Sequence, residues 1–236
     1  MSRIYSILIL FISFISIKVT SQTYQPTWES WTSVELKKDF KKGFSADAQY
    51  QIRFDHDIST FKASYLSAGL YYKLNKYVSF LLGYRFATNI YTDQHRFSGG
   101  INLKYGVKKW DFELRLVYQN DRANFNKHFL DYQKPDQFIR ARFTISKTFK
   151  KHYEVYASCE PFLFFSNNLT EITRVRSMLG FKYNFKKYHS IDIAYLFQPD
   201  LNKNRPLWTN AINIGYQFKL PKWKRMIGKK KKKQSL

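Results

Sequence analysis

From Trp28 to Leu220 the chain alternates apolar and polar residues with a period of two, in eleven stretches set apart by basic or turn-forming residues. In one stretch Phe44, Ala46, Ala48, Tyr50, Ile52 and Phe54 interleave with Ser45, Asp47, Gln49, Gln51, Arg53 and Asp55. Successive side chains of a strand point to opposite faces, so the pattern predicts one oily face and one wet face. The stretches run to about ten residues or more, the length a tilted strand needs to cross a bilayer. An open sheet in lipid would leave its edge amides unpaired. The pattern therefore predicts an all-β fold, a transmembrane up-and-down antiparallel β-barrel.

The 236 residues suffice for one domain and its appendages. Aromatic residues make up 19% of the chain, with 22 Phe and 18 Tyr, as expected of a barrel girdled by rings at both membrane interfaces. Mean hydropathy is −0.48, and beyond the N-terminus no apolar run is long enough for a transmembrane helix, which excludes a helical membrane protein. At the N-terminus, Arg3, the apolar run Ile4 to Ile17 and the small residues Val19, Thr20 and Ser21 predict a secretory signal peptide over 1–21, cleaved near Ser21 and Gln22. No Cys follows that run, so no lipoprotein is expected. The single Cys159 fits export into an oxidising compartment. It falls on the apolar parity of its stretch, as a small lipid-facing residue would.

The formal charge of +23 falls to +21 once Arg3 and Lys18 are removed with the leader. A basic balance often indicates nucleic acid. An exported barrel instead meets outer-membrane lipid, lipopolysaccharide and other polyanions, so no nucleic-acid partner is expected.

Strands are expected over 28–40, 44–55, 61–74, 77–91, 94–107, 110–120, 137–149, 153–166, 170–185, 188–199 and 207–220. Tight basic connections (Lys41-Lys42-Gly43, Asn75-Lys76, Lys108-Lys109, Lys150-Lys151-His152, Lys186-Lys187) alternate with longer or more polar ones at 55–60, 92–93, 121–136, 167–169 and 200–206. Barrels of this kind have short periplasmic turns and longer outer loops, which assigns the basic set to the periplasm. Bacterial single-chain barrels have even strand numbers. About twelve strands are therefore expected, with ten as the alternative; either residues 22–27 form a short extra strand or threaded segment, or one of the eleven stretches is wrongly divided. The barrel is expected over 22–220. Its last strand ends in Asn213-x-Gly215-x-x-Phe218-x-Leu220, similar to the pattern read by the barrel-assembly machinery. Residues 221–236, with Lys229 to Lys233, predict a polybasic periplasmic tail.

Parity assigns Leu66, Leu70, Phe80, Leu82, Phe86, Leu103, Phe112, Leu114, Leu116, Phe143, Ile145, Val155, Phe181, Ile191, Ile193, Ile212 and Ile214 to lipid. The opposite parity collects Arg53, Arg85, Arg96, Arg115, Arg140, Arg142, Arg174 and Arg176, with Asp47, Glu113, Glu154, Glu160 and Asp192. A charge facing lipid near the midplane costs several kcal/mol, about 2–4 for a cation, so these residues are expected to face the lumen. Arg suits such a place because its planar fork binds a carboxylate through two hydrogen bonds. Two readings follow. The charges pair and constrict the lumen, or their Arg excess leaves a positive field favouring anions.

No catalytic, metal or cofactor site is expected. His95 lies at the outer rim on the lipid parity while Ser98 points the other way. His189 and Ser190 are likewise opposed, so neither pair can serve as a lipid hydrolase within one strand. Asp55, His56 and Asp57 with Asp93, Gln94 and His95 make only a weak protease-like set, read as solvated loop residues. No metal-ligand spacing and no Gly-rich phosphate loop is present.

The segments Asp136-Gln137-Phe138-Ile139-Arg140-Ala141-Arg142, Glu160-Pro161-Phe162, and Arg174 and Arg176 before Gly180 carry a resemblance. So do the Trp28 to Leu36 opening, Gln51-x-Arg53 and His95-Arg96. With these the chain resembles the uncharacterised Bacteroidetes-type outer-membrane β-barrel family, the domain of unknown function numbered 2490. The resemblance spans nearly all of the chain after the leader. It implies an outer-membrane barrel and brings no activity or catalytic residue; the Lys-rich tail beyond Leu220 departs from it. The expected function is a narrow or gated conduit for a small anionic solute. The alternative is a closed structural or surface-binding barrel acting through the 121–136 loop, and a lipid-modifying enzyme comes third.

Overall fold

The structure, a computed structural model, describes residues 25–89, 93–123, 136–150, 152–166, 169–202 and 206–221. The expected signal peptide, most of the 121–136 loop, and the tail beyond Pro221 lie outside the described residues. Eleven strands make up the fold: β1 (Gln25–Asp39), β2 (Phe44–Asp55), β3 (Thr60–Lys73), β4 (Val78–Thr88), β5 (Asp93–Val107), β6 (Trp110–Ala123), β7 (Asp136–Phe149), β8 (Tyr153–Ser166), β9 (Leu169–Lys186), β10 (His189–Pro199) and β11 (Leu207–Leu220). Each pairs with its sequence neighbours, and β1 pairs with β11 to close the barrel. No helix occurs among the described residues.

Closure corrects two expectations. The strand number is eleven rather than twelve or ten, and the sheet is mixed rather than wholly antiparallel. Each hairpin reverses the chain, so in an odd-numbered meander the first and last strands run the same way. The seam must then be parallel, and it is, in register from Gln25↔Leu207 to Lys38↔Leu220. Residues 25–27, for which a separate segment is one alternative, are the start of β1 and already pair with β11. Closure pairs both edges of the sheet and leaves no open edge.

The connections gather at two ends. At the turn end β1 meets β2, β3 meets β4, β5 meets β6, β7 meets β8 and β9 meets β10; at the loop end β2 meets β3, β4 meets β5, β6 meets β7, β8 meets β9 and β10 meets β11. With eleven strands, β1 begins at the loop end and β11 finishes at the turn end. Local chemistry makes the tight turns. Lys42 and Gly43 both have positive φ, and a Cβ on Gly43 would lie 2.7 Å from the Lys73 carbonyl oxygen. Asn75 Oδ1 accepts hydrogen bonds from the Tyr77 and Val78 amides, both at 2.8 Å.

The exterior is apolar. Leu66, Leu70, Phe80, Leu82, Phe112, Phe143, Ile145, Phe181, Ile193 and Ile214 are exposed there, while Phe86, Leu114, Leu116 and Ile212 are half-buried. The interior is mainly polar. Its dry part lies beside the seam, where Trp31, Leu196 and Ala211 are buried together with Met178 packed on them. Gly180 gives interior room to a neighbour, since a Cβ there would overlap the Tyr156 ring.

The parallel seam is directly testable because Cys159 is the only cysteine of the chain. In a Cys159→Ser background, Thr32→Cys with Ile214→Cys places two thiols on directly paired residues, at a Cα separation suited to a disulfide. Oxidation is expected to give a crosslinked band on a non-reducing gel. Thr32→Cys with Asn210→Cys, displaced by four residues, is expected to stay uncrosslinked.

Candidate functional site

Interior parity lets register decide which charges meet, and register brings like charges together. Arg85 lies opposite Arg96, and Arg115 opposite Arg142. Like charges directly across a sheet destabilise it unless something compensates. The compensation forms a ring in the loop-end half of the barrel.

Glu160 is the centre of that ring. Its carboxylate is 2% exposed and faces three guanidinium groups. Its Oε1 accepts from Arg140 Nε at 3.1 Å and Nη2 at 2.8 Å, and its Oε2 accepts from Arg142 Nη2 at 3.3 Å. Arg176 Nη1 is 3.7 Å from the same Oε2. On one side the ring continues through Gln119, whose Oε1 accepts from Arg140 at 2.8 Å and whose amide donates to Asp121 at 2.9 Å. Asp121 in turn holds Arg96 through two bonds of 2.7 and 2.8 Å. On the other side Arg176 Nε donates to Gln198 at 3.0 Å. One connected polar chain thus crosses β5 to β10.

Aromatic faces complete the ring where carboxylates are missing. The Arg53 guanidinium lies 3.6 Å from the Trp31 ring centroid and 4.3 Å from that of Tyr65. Arg85 lies 5.5 Å from the Tyr65 ring, and Arg176 5.3 Å from Trp31. Phe162 receives Arg140, Arg174 and Arg176 at 4.6, 5.2 and 5.1 Å. A cation over a desolvated ring face is stabilised by about 2 kcal/mol or more. Trp31 is itself fixed, its Nε1 donating to Glu29 at 2.7 Å, while Lys62 pairs with the other Glu29 oxygen at 2.5 Å.

The ring leaves positive charge over. Arg53 bonds only to the Gln51 amide oxygen, and the Arg85 Nε to the Ser67 hydroxyl; neither has a carboxylate ion pair among the described residues. Arg142 Nε and Arg174 Nε are buried with no hydrogen-bond partner among the described residues.

The remaining residues singled out in the sequence lie in the turn-end half. Arg115 bonds Asn102 at 2.8 Å and pairs with Glu113 at 3.3 Å. Glu154 lies opposite Lys182, and Asp192 accepts from the Tyr156 hydroxyl at 2.9 Å. A cavity of about 150 Å³ opens here against the seam, lined by Ser33, Glu35, Gln49, Lys182, Asp192 and Asn213 among others. Of the C-terminal pattern, Asn213 and Gly215 line this cavity. The Phe218 ring lies tilted against that of His189, centroids 4.9 Å apart, and Leu220 ends the seam.

The rim residues weighed for catalysis have other contacts. His95 Nδ1 is 2.7 Å from the Tyr84 hydroxyl, and His189 Nδ1 is 2.7 Å from that of Tyr216. Asp55 accepts from the His56 amide at 2.7 Å and pairs with Lys62 at 3.0 Å. Among the described residues no group of three or more His, Cys, Asp or Glu is placed to hold a metal.

Sequence reasoning missed Glu29, Trp31, Lys62, Gln119 and Asp121. Gln119 and Asp121 share the parity of Glu113 and Arg115, but β6 continues to Ala123 where the expected strand stops at 120. Glu29 and Trp31 share a parity with Ser33 and Glu35 that was there to be read.

Removing the anion at the centre strands three cations. Glu160→Ala is expected to lower folding stability by about 3–5 kcal/mol, as for one partner of a buried ion pair. Glu113→Ala, from a partly exposed pair, is expected to cost about 1 kcal/mol or less. Urea unfolding midpoints in detergent micelles compare the two.

Among solved structures the chain is similar to a bacterial polysaccharide outer membrane secretin, with a TM-score of 0.48 and 8% identity over 76% of this chain. It spans 63% of the length of that protein. No curated protein matches it. Residues 28–209, from the first exposed tryptophan of β1 to the start of β11, match the family described as Protein of unknown function (DUF2490), and the chain belongs to that family.

Proposed function

We propose that the protein is an outer-membrane barrel whose arginine ring constricts the lumen and selects small anions. The carrying observation is the pair Arg53 and Arg85: interior cations held by rings and neutral acceptors, with no carboxylate ion pair among the described residues. A fixed positive field in a narrow, low-dielectric passage favours anions and repels cations. Membrane placement is supported by the apolar exterior around a closed sheet, since only a closed barrel satisfies its amides in lipid with strands. The basic turn end is the periplasmic end in this reading, and the loop end the outer one. Export through the N-terminal leader and insertion by the assembly machinery complete it. The protein is assigned no enzymatic role and no cofactor.

A second reading is a closed structural or surface-binding barrel. The dry cluster of Trp31, Leu196 and Ala211 beside the ring favours it, because apolar side chains there fill part of the cross-section. A barrel of this size is only slightly wider than the eight-stranded case that side chains fill.

Single-channel recording of the refolded mature chain under a salt gradient separates the two. The conduit reading expects discrete steps with a reversal potential on the anion-selective side. Arg85→Ala with Arg140→Ala is expected to move that potential towards zero; an unchanged selectivity would count against the reading. A folded barrel silent at all voltages would favour the closed form.

A further inference from the structure

Lys147 is out of place in its strand. It shares the outward parity of Phe143, Ile145 and Phe149 on β7, on the face where apolar residues are exposed. Its ammonium is held between two rings, 4.7 Å from the Trp110 centroid and 5.1 Å from that of Phe149. It has no carboxylate ion pair among the described residues. A lone cation on an apolar face is costly unless it reaches the interface or meets an anion.

An apolar furrow begins beside it. Trp110, Ile145, Phe149, Val155, Ala157 and Leu179 line it with Lys147, around a volume of about 330 Å³. Register explains its shape. Trp110, Lys147 and Val155 stand in one row across β6 to β8, and Ile145, Ala157 and Leu179 in the next row towards the middle of the barrel. Ala157 is the small member of its row. One row further, Phe143 faces Cys159, which faces Ser177. The furrow itself reaches Ala157 and Leu179, and the small residues Cys159 and Ser177 continue the same outward parity one row further into the apolar band. The mouth of the furrow lies at the turn end, beside the basic turns at Lys108-Lys109 and Lys150.

We infer that this furrow holds one anionic phospholipid, with an acyl chain along Ala157 and Cys159 and the phosphate on Lys147. The inference rests on the membrane reading above. Apolar shape fits the chain, and charge complementarity fits the headgroup. A basic turn end on the periplasmic side places the site at the inner leaflet, where phospholipid is the anionic occupant.

The test is to refold the mature chain into vesicles of mixed phosphatidylglycerol and phosphatidylcholine, extract it in mild detergent and weigh it by native mass spectrometry. One retained phosphatidylglycerol per barrel is expected. Lys147→Gln is expected to reduce that occupancy about fivefold, the effect of one interfacial lysine. Lys147→Arg is expected to preserve it, and Ala157→Phe, which fills the furrow, to abolish it. Lys41→Gln, on the turn between β1 and β2 and separated from the furrow strands in the barrel order, is expected to change nothing. Equal retention of both lipids, or retention unaffected by Lys147→Gln and Ala157→Phe in folded barrels, overturns the site. A chain that folds but does not insert into vesicles overturns the membrane reading and the site with it.

Discussion

Everything in this molecule depends on closing a sheet that has an odd number of strands. Backbone amides along β1 and β11 would be bare edges in an open sheet, and closure satisfies them. Eleven strands allow this only through a parallel seam. The seam also sets the polarity of the chain, because β1 and β11 both start at the loop end. It positions Trp31 beside Ala211 and Leu196, so a dry cluster of the interior lies where the barrel is joined.

Once the sheet is closed, the interior has to accommodate what alternation sends there. Directly opposed Arg85 and Arg96, and Arg115 and Arg142, would repel in any such barrel. The molecule compensates unequally. Arg96, Arg140, Arg142 and Arg176 face carboxylates, whereas Arg53 and Arg85 rest on aromatic faces and neutral oxygens. Pairing makes the ring rigid, and the unpaired remainder makes it positive. The selective constriction proposed above calls for both properties. The turn-end half, with Glu35, Asp192, Glu154 and Lys182 around a small cavity, is more evenly balanced.

Much of the fold was legible because period-two alternation is a local signal. The expected strands at 44–55, 153–166 and 207–220 coincide with β2, β8 and β11. Strand ends were less legible where polar residues continue a strand. Asp121 to Ala123 read as loop, yet they pair with β5 and carry the Asp121 contact to Arg96. The strand number misled for a different reason. The eleven stretches were visible, but a general preference for even numbers outweighed them, and no local feature of β1 or β11 announces that the two will pair in parallel.

The sequence by itself determined the strands, the apolar and polar parities, the basic and polar connections, and the grouping of arginines and carboxylates on one parity. These are properties of neighbouring residues and need only the two-residue repeat of an extended chain. Only the tertiary structure decided the parallel seam, the gathering of Arg140, Arg142 and Arg176 on Glu160, the stacking of Arg53 between Trp31 and Tyr65, and the furrow under Lys147. Those contacts join different strands, the seam the two ends of the sheet, and which side chains meet is fixed by cross-strand register and by curvature around the barrel. Neither quantity exists until the sheet has closed.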